Sequence, residues 1–233
     1  MTNNCKSVQN AILSLSICLV LCSCVSNKAK ILIIGDSISI GYTPYVKESL
    51  RQKAQVYHNP KNAQHTKVGL KKINSWVKKK NWDIIQFNWG LWDMCYRVHD
   101  KKPPNKDIIN GTITVELEEY ATNLDSIISI IKMNSNAKLI FVTTTHVPDN
   151  NKGRHSEDVH SYNQTAKNVM KKNGVAINDI YDQSVIIHNQ LGKAKDDAHY
   201  STTGYQELGK LITPFLEKEL KKLPRVASLQ QHK

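Results

Sequence analysis

The body of this chain is poor in cysteine. Four of the five cysteines lie within the first 24 residues, so the rest of the 233-residue chain holds only Cys95. A single thiol can build neither a disulfide framework nor a zinc cluster. We therefore expect Cys95 to be a packed or surface thiol, and we expect no metal site.

Arginine is also scarce, although the formal net charge is +12. A nucleic-acid-binding surface would place arginine and aromatic residues together on one element. The four arginines are instead scattered, at Arg51, Arg97, Arg154 and Arg225. We therefore predict no nucleic-acid partner. The lysine-rich balance favours acidic surfaces or substrates as neighbours, while most lysines should lie on solvated helix faces.

The longest apolar stretch lies near the start of the chain and is short. It reads AILSLSICLVL over residues 11–21, after Lys6, which is typical of a secretory signal and too short for a comfortable membrane span. Leu21-Cys22-Ser23-Cys24 resembles a bacterial lipoprotein signal, which implies cleavage before Cys24 and acylation of that residue. The alternative is ordinary cleavage near Ser26 and a freely secreted product.

These features divide the chain into a signal peptide (1–24), a short linker (25–29), one domain (30–222) and a polar tail (223–233). We expect the domain to lie in the cell envelope, held to a membrane by a lipid anchor, or to be secreted. No linker rich in glycine, serine or proline suggests a second domain.

Strand and helix patterns alternate along the domain, which predicts an α/β fold with a five-stranded parallel sheet covered on both faces. The predicted strands are 31–34, 55–58, 83–88, 137–145 and 175–178. The predicted helices are 43–54, 66–79, 113–132, 156–174 and a last one from 203, which Pro214 should kink or divide. Residues 95–111 and 192–202 are predicted to be loops.

The first strand ends in Gly35-Asp36-Ser37. Ligands of open α/β sheets bind at the carboxyl ends of the strands. Ser37 is therefore placed to act as a nucleophile if a base can reach it. We expect Thr43 and Pro44 to cap and start the helix that follows.

A base is available near the end of the chain, where Asp196 and His199 lie three residues apart. A serine nucleophile needs an imidazole to take its proton, and the imidazole needs a carboxylate to fix its tautomer. The Asp-x-x-His pattern is weak alone, but it becomes a strong signal when it follows a Gly-Asp-Ser strand end in this chain order.

These two motifs, with Gly204-Tyr205 after the second, resemble the first and last blocks of the SGNH (GDSL) hydrolase family. The resemblance covers about residues 30–220 and extends to bacterial secreted members with an Asn-Trp-Gly-Leu-x-Asp third block. It implies a flavodoxin-like three-layer α/β/α sandwich, with Ser37 as nucleophile, His199 as general base and Asp196 as its orienting partner. It implies no metal or organic cofactor.

The family's oxyanion hole implies three donors, and this chain departs from the pattern at two of them. The first is the backbone N–H of Ser37. The second block holds no glycine, so the backbone near Ala63 is the candidate there. In the third block Trp92 stands where the family has asparagine, and Asn88 is the other candidate.

The sequence favours an exported serine esterase that acts on small acyl esters, with O-acetyl groups on a carbohydrate as the preferred substrate. Asp36, Trp89 and Arg154 are the candidate substrate-binding residues, although Trp89 and Trp92 could equally roof the core. Lipid or lysophospholipid esters are one alternative. A non-catalytic glycan-binding lipoprotein on a decayed hydrolase scaffold is the other.

Overall fold

The computed structural model describes residues 28–98 and 105–224. The predicted signal peptide, Cys24 and most of the polar tail lie outside the described residues. In chain order the elements are β1 (Ala29–Ile34), α1 (Ser37–Ser49), β2 (Ala54–His58), α2 (Thr66–Val77), β3 (Ile84–Phe87), β4 (Tyr96–Val98), β5 (Asn105–Lys106), β6 (Thr112–Ile113), α3 (Leu117–Asn134), β7 (Lys138–Val142), α4 (Asp158–Lys172), β8 (Ala176–Asn178), α5 (Tyr181–Leu191), β9 (Gly192–Ala194), β10 (Asp197–Tyr200) and α6 (Thr202–Leu220).

The central sheet has five parallel strands in the order β2-β1-β3-β7-β8. This is the flavodoxin-like order, in which the chain first moves to one side of β1 and then to the other. The inner strands are continuous apolar runs because both faces of the sheet are covered. Ile31, Ile33 and Ile34 of β1, for example, are fully buried.

Helices form a layer on each face of this sheet. Helix α6 packs against α1 and α5, while α3 packs against α2 and α4. The apolar stripe predicted for α3 is confirmed, since Tyr120, Leu124, Ile127, Ile128 and Ile131 are all fully buried. The molecule is therefore a three-layer α/β/α sandwich, as predicted.

Two helix starts differ from the prediction. Helix α1 begins at Ser37 rather than at Thr43, because the Asp36 carboxylate accepts a hydrogen bond from the Ile38 N–H and caps the helix there. Pro44 consequently lies inside α1. Helix α4 begins at Asp158, so Ser156 is not its cap. The last helix, α6, runs through Pro214 without being divided.

Both predicted loops contain strands. Strands β4, β5 and β6 form a small antiparallel sheet within residues 95–113, and β9 pairs with β10 in an antiparallel hairpin. The small sheet contacts the loop that precedes α4, since the Tyr96 N–H donates to the Gly153 carbonyl. These short strands are polar and half-exposed, so they lack the apolar alternation by which strands are recognised in a sequence.

Candidate active site

Ser37 lies where the sequence predicted it, at the carboxyl end of β1 and in the first turn of α1. The turn between them is tight and buried. A Cβ on Gly35 would lie 2.7 Å from Ser39 Oγ, so only glycine fits there without a shift. The Gly35 N–H donates to Asn59 Oδ1, and the Asp36 side chain caps the helix. These contacts fix the position from which the Ser37 hydroxyl projects.

His199 reaches this hydroxyl from β10, 162 residues later in the chain. Ser37 Oγ lies 2.8 Å from His199 Nε2, within hydrogen-bonding distance. Strand β10 is held in place because Ala198 and Tyr200, which flank His199, are buried in the core. The structure therefore brings together the serine and histidine that the sequence paired.

The carboxylate beside His199 belongs to Asp197, and the assignment of Asp196 to this position is wrong. Asp197 Oδ1 lies 2.5 Å from His199 Nδ1 and also accepts the His199 backbone N–H at 3.1 Å. In a strand, residues two apart share a side, whereas the predicted three-residue spacing suits a helical turn. Asp196 instead lies 3.7 Å from Lys152 Nζ and is half-exposed.

The charge state of Asp197 follows from these contacts. Its partial burial alone would raise the pKa of the carboxyl group. The side-chain and backbone hydrogen bonds from His199 outweigh that effect, with smaller help from Lys193, so the pKa lies below its ordinary value. Asp197 is thus an anion at neutral pH, able to stabilise a protonated imidazole.

A second histidine supports the strand and was missed in the sequence. His188, on α5, is buried, and its Nε2 lies 2.7 Å from the Asp197 carbonyl oxygen. This contact ties the start of β10 to α5. The sequence carried no signal for it, because a histidine on an amphipathic helix has no motif linking it to a strand nine residues later.

Two of the predicted oxyanion donors are occupied elsewhere. The Ala63 N–H donates to the Gly35 carbonyl at 2.9 Å. Asn88 Nδ2 donates to the Val142 carbonyl at 2.8 Å and lies 3.4 Å from Thr144 Oγ1. Both groups hold neighbouring strand ends together, so assigning them as donors to a substrate is wrong.

Trp92, the third candidate, does face the nucleophile. It lines a cavity of about 250 Å³ together with Ser37 and His199. Its ring also lies against a guanidinium, with Arg97 Cζ 4.6 Å from the ring centroid. Trp92 therefore forms a wall of the cavity and stays a candidate donor.

Asn62 lines the same cavity and was not singled out in the sequence. Its Oδ1 accepts the Gln64 backbone N–H at 2.7 Å, which fixes the amide within its loop. That loop needs such support because Lys61 and Gln64 both have positive φ, at 62° and 56°. With its oxygen engaged, the Asn62 NH₂ group is the part able to donate to a ligand.

The three predicted substrate-binding residues have different surroundings. Trp89 is only 1 % exposed and packs against Phe87 in the core, so it is not a substrate platform; the prediction that it roofs the core is the correct one. Asp36 lines the cavity but is buried as the cap of α1, and burial raises its pKa despite the Ile38 hydrogen bond and the charge of Arg154.

Arg154 also lines the cavity, and it is 4 % exposed. Its Nε donates to the Leu91 carbonyl, and its Nη1 lies 3.4 Å from Asn151 Oδ1. Burial lowers the pKa of the guanidinium, although not enough to remove its charge. Arg154 thus places a buried positive charge in the wall of the cavity that Ser37 lines.

A wider cleft of about 520 Å³ adjoins this cavity. His199 and Lys106 line both, so the two spaces are continuous. The wider part is lined by Lys152, Lys193, Tyr200 and Tyr205 among others. The serine therefore lies in a small inner cavity that opens into a larger, lysine-rich entrance.

Among the residues that the structure describes, no cluster of three or more histidine, cysteine or acidic side chains could hold a metal ion. Within the same ranges, no helix is both long enough and apolar enough to cross a bilayer. The inner cavity and its entrance are lined by a serine, a histidine, carboxylates and several hydrogen-bond donors. That set suits nucleophilic attack on a carbonyl group.

Comparison with solved structures identifies the fold. The chain is similar to the acetyl xylan esterase AlAXEase (15% identity, TM-score 0.64, 80% of this chain and 99% of that one). It is similar to a lipase/acylhydrolase from Enterococcus faecalis (21%, 0.65, 82% and 96%). It also resembles a GDSL-like lipase from Bacteroides thetaiotaomicron (17%, 0.60, 83% and 90%). No family model matches the sequence, and no curated protein is similar to it.

Proposed function

We propose that the protein is a serine esterase of the SGNH (GDSL) type that hydrolyses small acyl esters. One observation carries this proposal: Ser37 Oγ lies 2.8 Å from His199 Nε2, while Asp197 Oδ1 lies 2.5 Å from the other ring nitrogen. That chain of contacts is what a serine nucleophile requires. The known esterases with the same fold support the proposal.

In the proposed reaction Ser37 Oγ attacks the ester carbonyl carbon as its proton passes to His199 Nε2. Asp197 stabilises the resulting imidazolium through Nδ1. Collapse of the tetrahedral intermediate breaks the bond to the alcohol oxygen, which receives the proton from His199. Water, activated by the same imidazole, then attacks the acyl-serine, releases the carboxylic acid and restores the Ser37 hydroxyl.

The carbonyl oxygen gains negative charge during both attacks and needs hydrogen-bond donors. We assign this role to the backbone N–H of Ser37 and the NH₂ group of Asn62. Asn62 is favoured because it lines the cavity with Ser37 and has its amide oxygen held by Gln64. Asn88 and Ala63 are excluded because their N–H groups are engaged within the fold.

The proposed substrate is a short acyl ester, with acetyl groups on a carbohydrate preferred. An inner cavity of about 250 Å³, lined largely by polar side chains, suits a small acyl group better than a long chain. The acetyl xylan esterase among the similar structures supports a sugar acetate as substrate. We further propose that the protein is exported and acylated at Cys24, as its first residues resemble a lipoprotein signal.

Active-site labelling tests the enzyme proposal. A fluorophosphonate probe should label the intact protein, and Ser37→Ala and His199→Ala should abolish the labelling. Ser39→Ala is the matched control. Ser39 Oγ also contacts a histidine, at 2.7 Å from His58 Nε2, but Ser39 is buried. Its replacement should leave labelling intact. A properly folded protein that is never labelled would support the non-catalytic glycan-binding alternative.

Chain-length preference tests the substrate proposal. 4-Nitrophenyl acetate should be hydrolysed with a higher kcat/KM than the octanoate ester. The reverse order would favour the lipid or lysophospholipid alternative. Metabolic labelling tests the proposed export and acylation. A palmitate analogue supplied to a bacterial host should label the full chain and should not label the Cys24→Ala variant. Release of an unlabelled protein into the medium would indicate ordinary secretion.

A further inference from the structure

Two cations in the cleft have no carboxylate partner among the residues that the structure describes. Four basic side chains line the inner cavity or its entrance: Lys106, Lys152, Lys193 and Arg154. Lys152 and Lys193 each have a nearby carboxylate, at 3.7 Å from Asp196 and 3.9 Å from Asp197. Across the described residues, no carboxylate oxygen lies within 4.0 Å of Lys106 or Arg154. The uncompensated positive charge is therefore concentrated next to the nucleophile.

Arg154 is the stronger of the two observations. Burying a guanidinium costs free energy unless it is paired and hydrogen-bonded. Among the residues that the structure describes, its hydrogen-bond partners are the Leu91 backbone carbonyl and, at 3.4 Å, the Asn151 amide oxygen. The buried carboxyl of Asp36 acts on it through space, but that group is used as the cap of α1. A guanidinium buried in this way at the wall of a cavity can bind an anion that enters the cavity.

Lys106 is at the junction of the inner cavity and the entrance, since it lines both. Although Lys106 is exposed by surface area, its neighbours remove part of its hydration, and this loss together with the charges of Arg154 and Arg97 lowers its pKa, while Asp197 acts in the opposite direction. A ligand anion at this junction would restore favourable interactions for both cations. Lys106, Arg154 and Ser37 line the same inner cavity, so an anion bound by the two cations would share that cavity with an ester held at Ser37.

The geometry points to an acidic ester substrate, one in which a carboxylate on the alcohol moiety is bound by Lys106 and Arg154 while the acyl group lies at Ser37. Because the preferred acyl group is acetyl, which is neutral, the charge belongs on the sugar. The substrate class is therefore an O-acetylated uronic acid residue within a glycan. This inference rests on the proposed esterase function and narrows its substrate.

The other acidic groups of the cleft do not cancel this attraction. Asp197 is hydrogen-bonded to His199, and Asp196 lies beside Lys152. Asp36 lines the inner cavity, but its carboxyl group is held by the Ile38 N–H as the cap of α1. The lysines of the entrance further favour the approach of an anion, an effect that falls as salt concentration rises.

The test compares an acidic and a neutral sugar acetate of the same shape. Acetate release is measured from O-acetylated methyl galacturonoside and O-acetylated methyl galactoside, with 4-nitrophenyl acetate as a neutral reference ester. The acidic sugar should be preferred by about tenfold or more in kcat/KM, the factor expected from about one net charged hydrogen bond. The preference should shrink as the sodium chloride concentration is raised from about 20 mM, where charges are weakly screened, to about 500 mM, where they are strongly screened.

Variants at Lys106 identify the binding group. Lys106→Gln should reduce the ratio of acidic to neutral kcat/KM several-fold, and Lys106→Glu should reverse it. Lys171→Gln is the matched control, because Lys171 is an exposed lysine in the last turn of α4 and does not line the cleft. It should leave the ratio unchanged. Lys106 is exposed, so these variants should fold, whereas replacing Arg154 would also remove its contact with Leu91.

The outcomes separate the two proposals. Equal kcat/KM for the two sugars, in a protein that is labelled at Ser37 and hydrolyses 4-nitrophenyl acetate, would overturn the acidic-substrate inference and leave the esterase proposal standing. A preference that Lys106→Gln and Lys171→Gln reduce equally would also overturn it, since the protein's overall charge would then be the cause. Absence of both labelling and hydrolysis would overturn the inference and the esterase proposal together.

Discussion

The candidate site has two halves, one around Ser37 and one on the turns after β2 and β3, and their polar groups have different kinds of partner. Around Ser37 the polar side chains contact one another, through Ser37 Oγ, His199 and Asp197, at 2.8 and 2.5 Å. On the turns after β2 and β3, two of the candidate donors contact the fold instead, namely the Ala63 N–H and the Asn88 amide. A polar residue at a sheet edge is therefore not by itself a group available to substrate.

The difference has a physical origin. Ser37 and the Asp197–His199 pair come from distant parts of the chain and line the cavity or its entrance, so the serine and the histidine side chain satisfy each other there. Ala63 and most of residues 89–95 are buried, and each buried N–H there needs a partner within the protein. Gly90 shows how tight this region is, since a Cβ there would lie 2.1 Å from Thr144 Oγ1.

The largest expected effect tests the first half of the site. Asp197→Asn should lower kcat about 10³- to 10⁴-fold, because an amide cannot stabilise the imidazolium and can favour the wrong tautomer. Asp196→Asn, the neighbouring change, should lower kcat less than threefold, since the half-exposed Asp196 carboxylate lies near Lys152 and its hydrogen bond with Asn151 is made by the backbone carbonyl, which the change keeps. Steady-state hydrolysis of 4-nitrophenyl acetate measures both. A larger loss in Asp196→Asn would restore the assignment made from the sequence.

The sequence predicted the fold well because long apolar runs and stripes, such as those of β1 and α3, report burial directly. It also predicted Ser37 and His199, whose positions depend on a strand end and on chain order. The sequence led to Asp196 instead of Asp197 because the Asp-x-x-His pattern does not indicate whether the segment is a strand or a turn, and this decides which carboxylate lies beside His199. It failed at Asn88 because which partner an amide takes depends on the distance between strands that are far apart in sequence.

A buried carboxyl group in the second half should control stability rather than catalysis. Asp93 is fully buried, and its Oδ1 accepts hydrogen bonds from the Thr66 N–H and hydroxyl at the start of α2. Burial raises its pKa to about 7, although the Thr66 hydrogen bonds oppose the rise. Its stabilising contribution is thus complete below pH 3.8 and is lost as the pH rises through about 7.

Asp93→Asn removes this titration while keeping an acceptor for Thr66. Relative to the unmodified protein, the variant should therefore gain free energy of unfolding between pH 4 and pH 8, by up to about 4 kcal/mol. Urea unfolding at four pH values in that interval measures the difference, in which all other titrating groups cancel. Two parallel stability profiles would show that Asp93 is ionised in the folded state, and would weaken the contrast with Asp197.

The proposed oxyanion donor is expected to give the next largest effect. Asn62→Ala should lower kcat about 10²-fold, the usual cost of one missing donor, with a smaller change in KM. Asn62→Asp should lower it at least as much, because a carboxylate accepts the Gln64 hydrogen bond but cannot donate. Asn88→Ala is the comparison: it should reduce stability by about 1–3 kcal/mol through its lost contact with Val142, with little loss of kcat in the folded fraction. The opposite pattern would return the donor role to Asn88.

The smallest effect concerns Trp92, the residue at the boundary between the two halves. Trp92→Phe removes the indole N–H but keeps a ring against Arg97, whose Cζ lies 4.6 Å from the present ring centroid. If Asn62 is the donor, kcat should fall by less than about threefold, because the phenyl ring still closes the cavity wall. A fall of about 10²-fold in Trp92→Phe, with Asn62→Ala nearly unaffected, would identify the indole as the donor instead. The ratio of the two losses in kcat, measured on 4-nitrophenyl acetate, decides between the amide and the indole because each substitution removes one N–H donor from the same cavity.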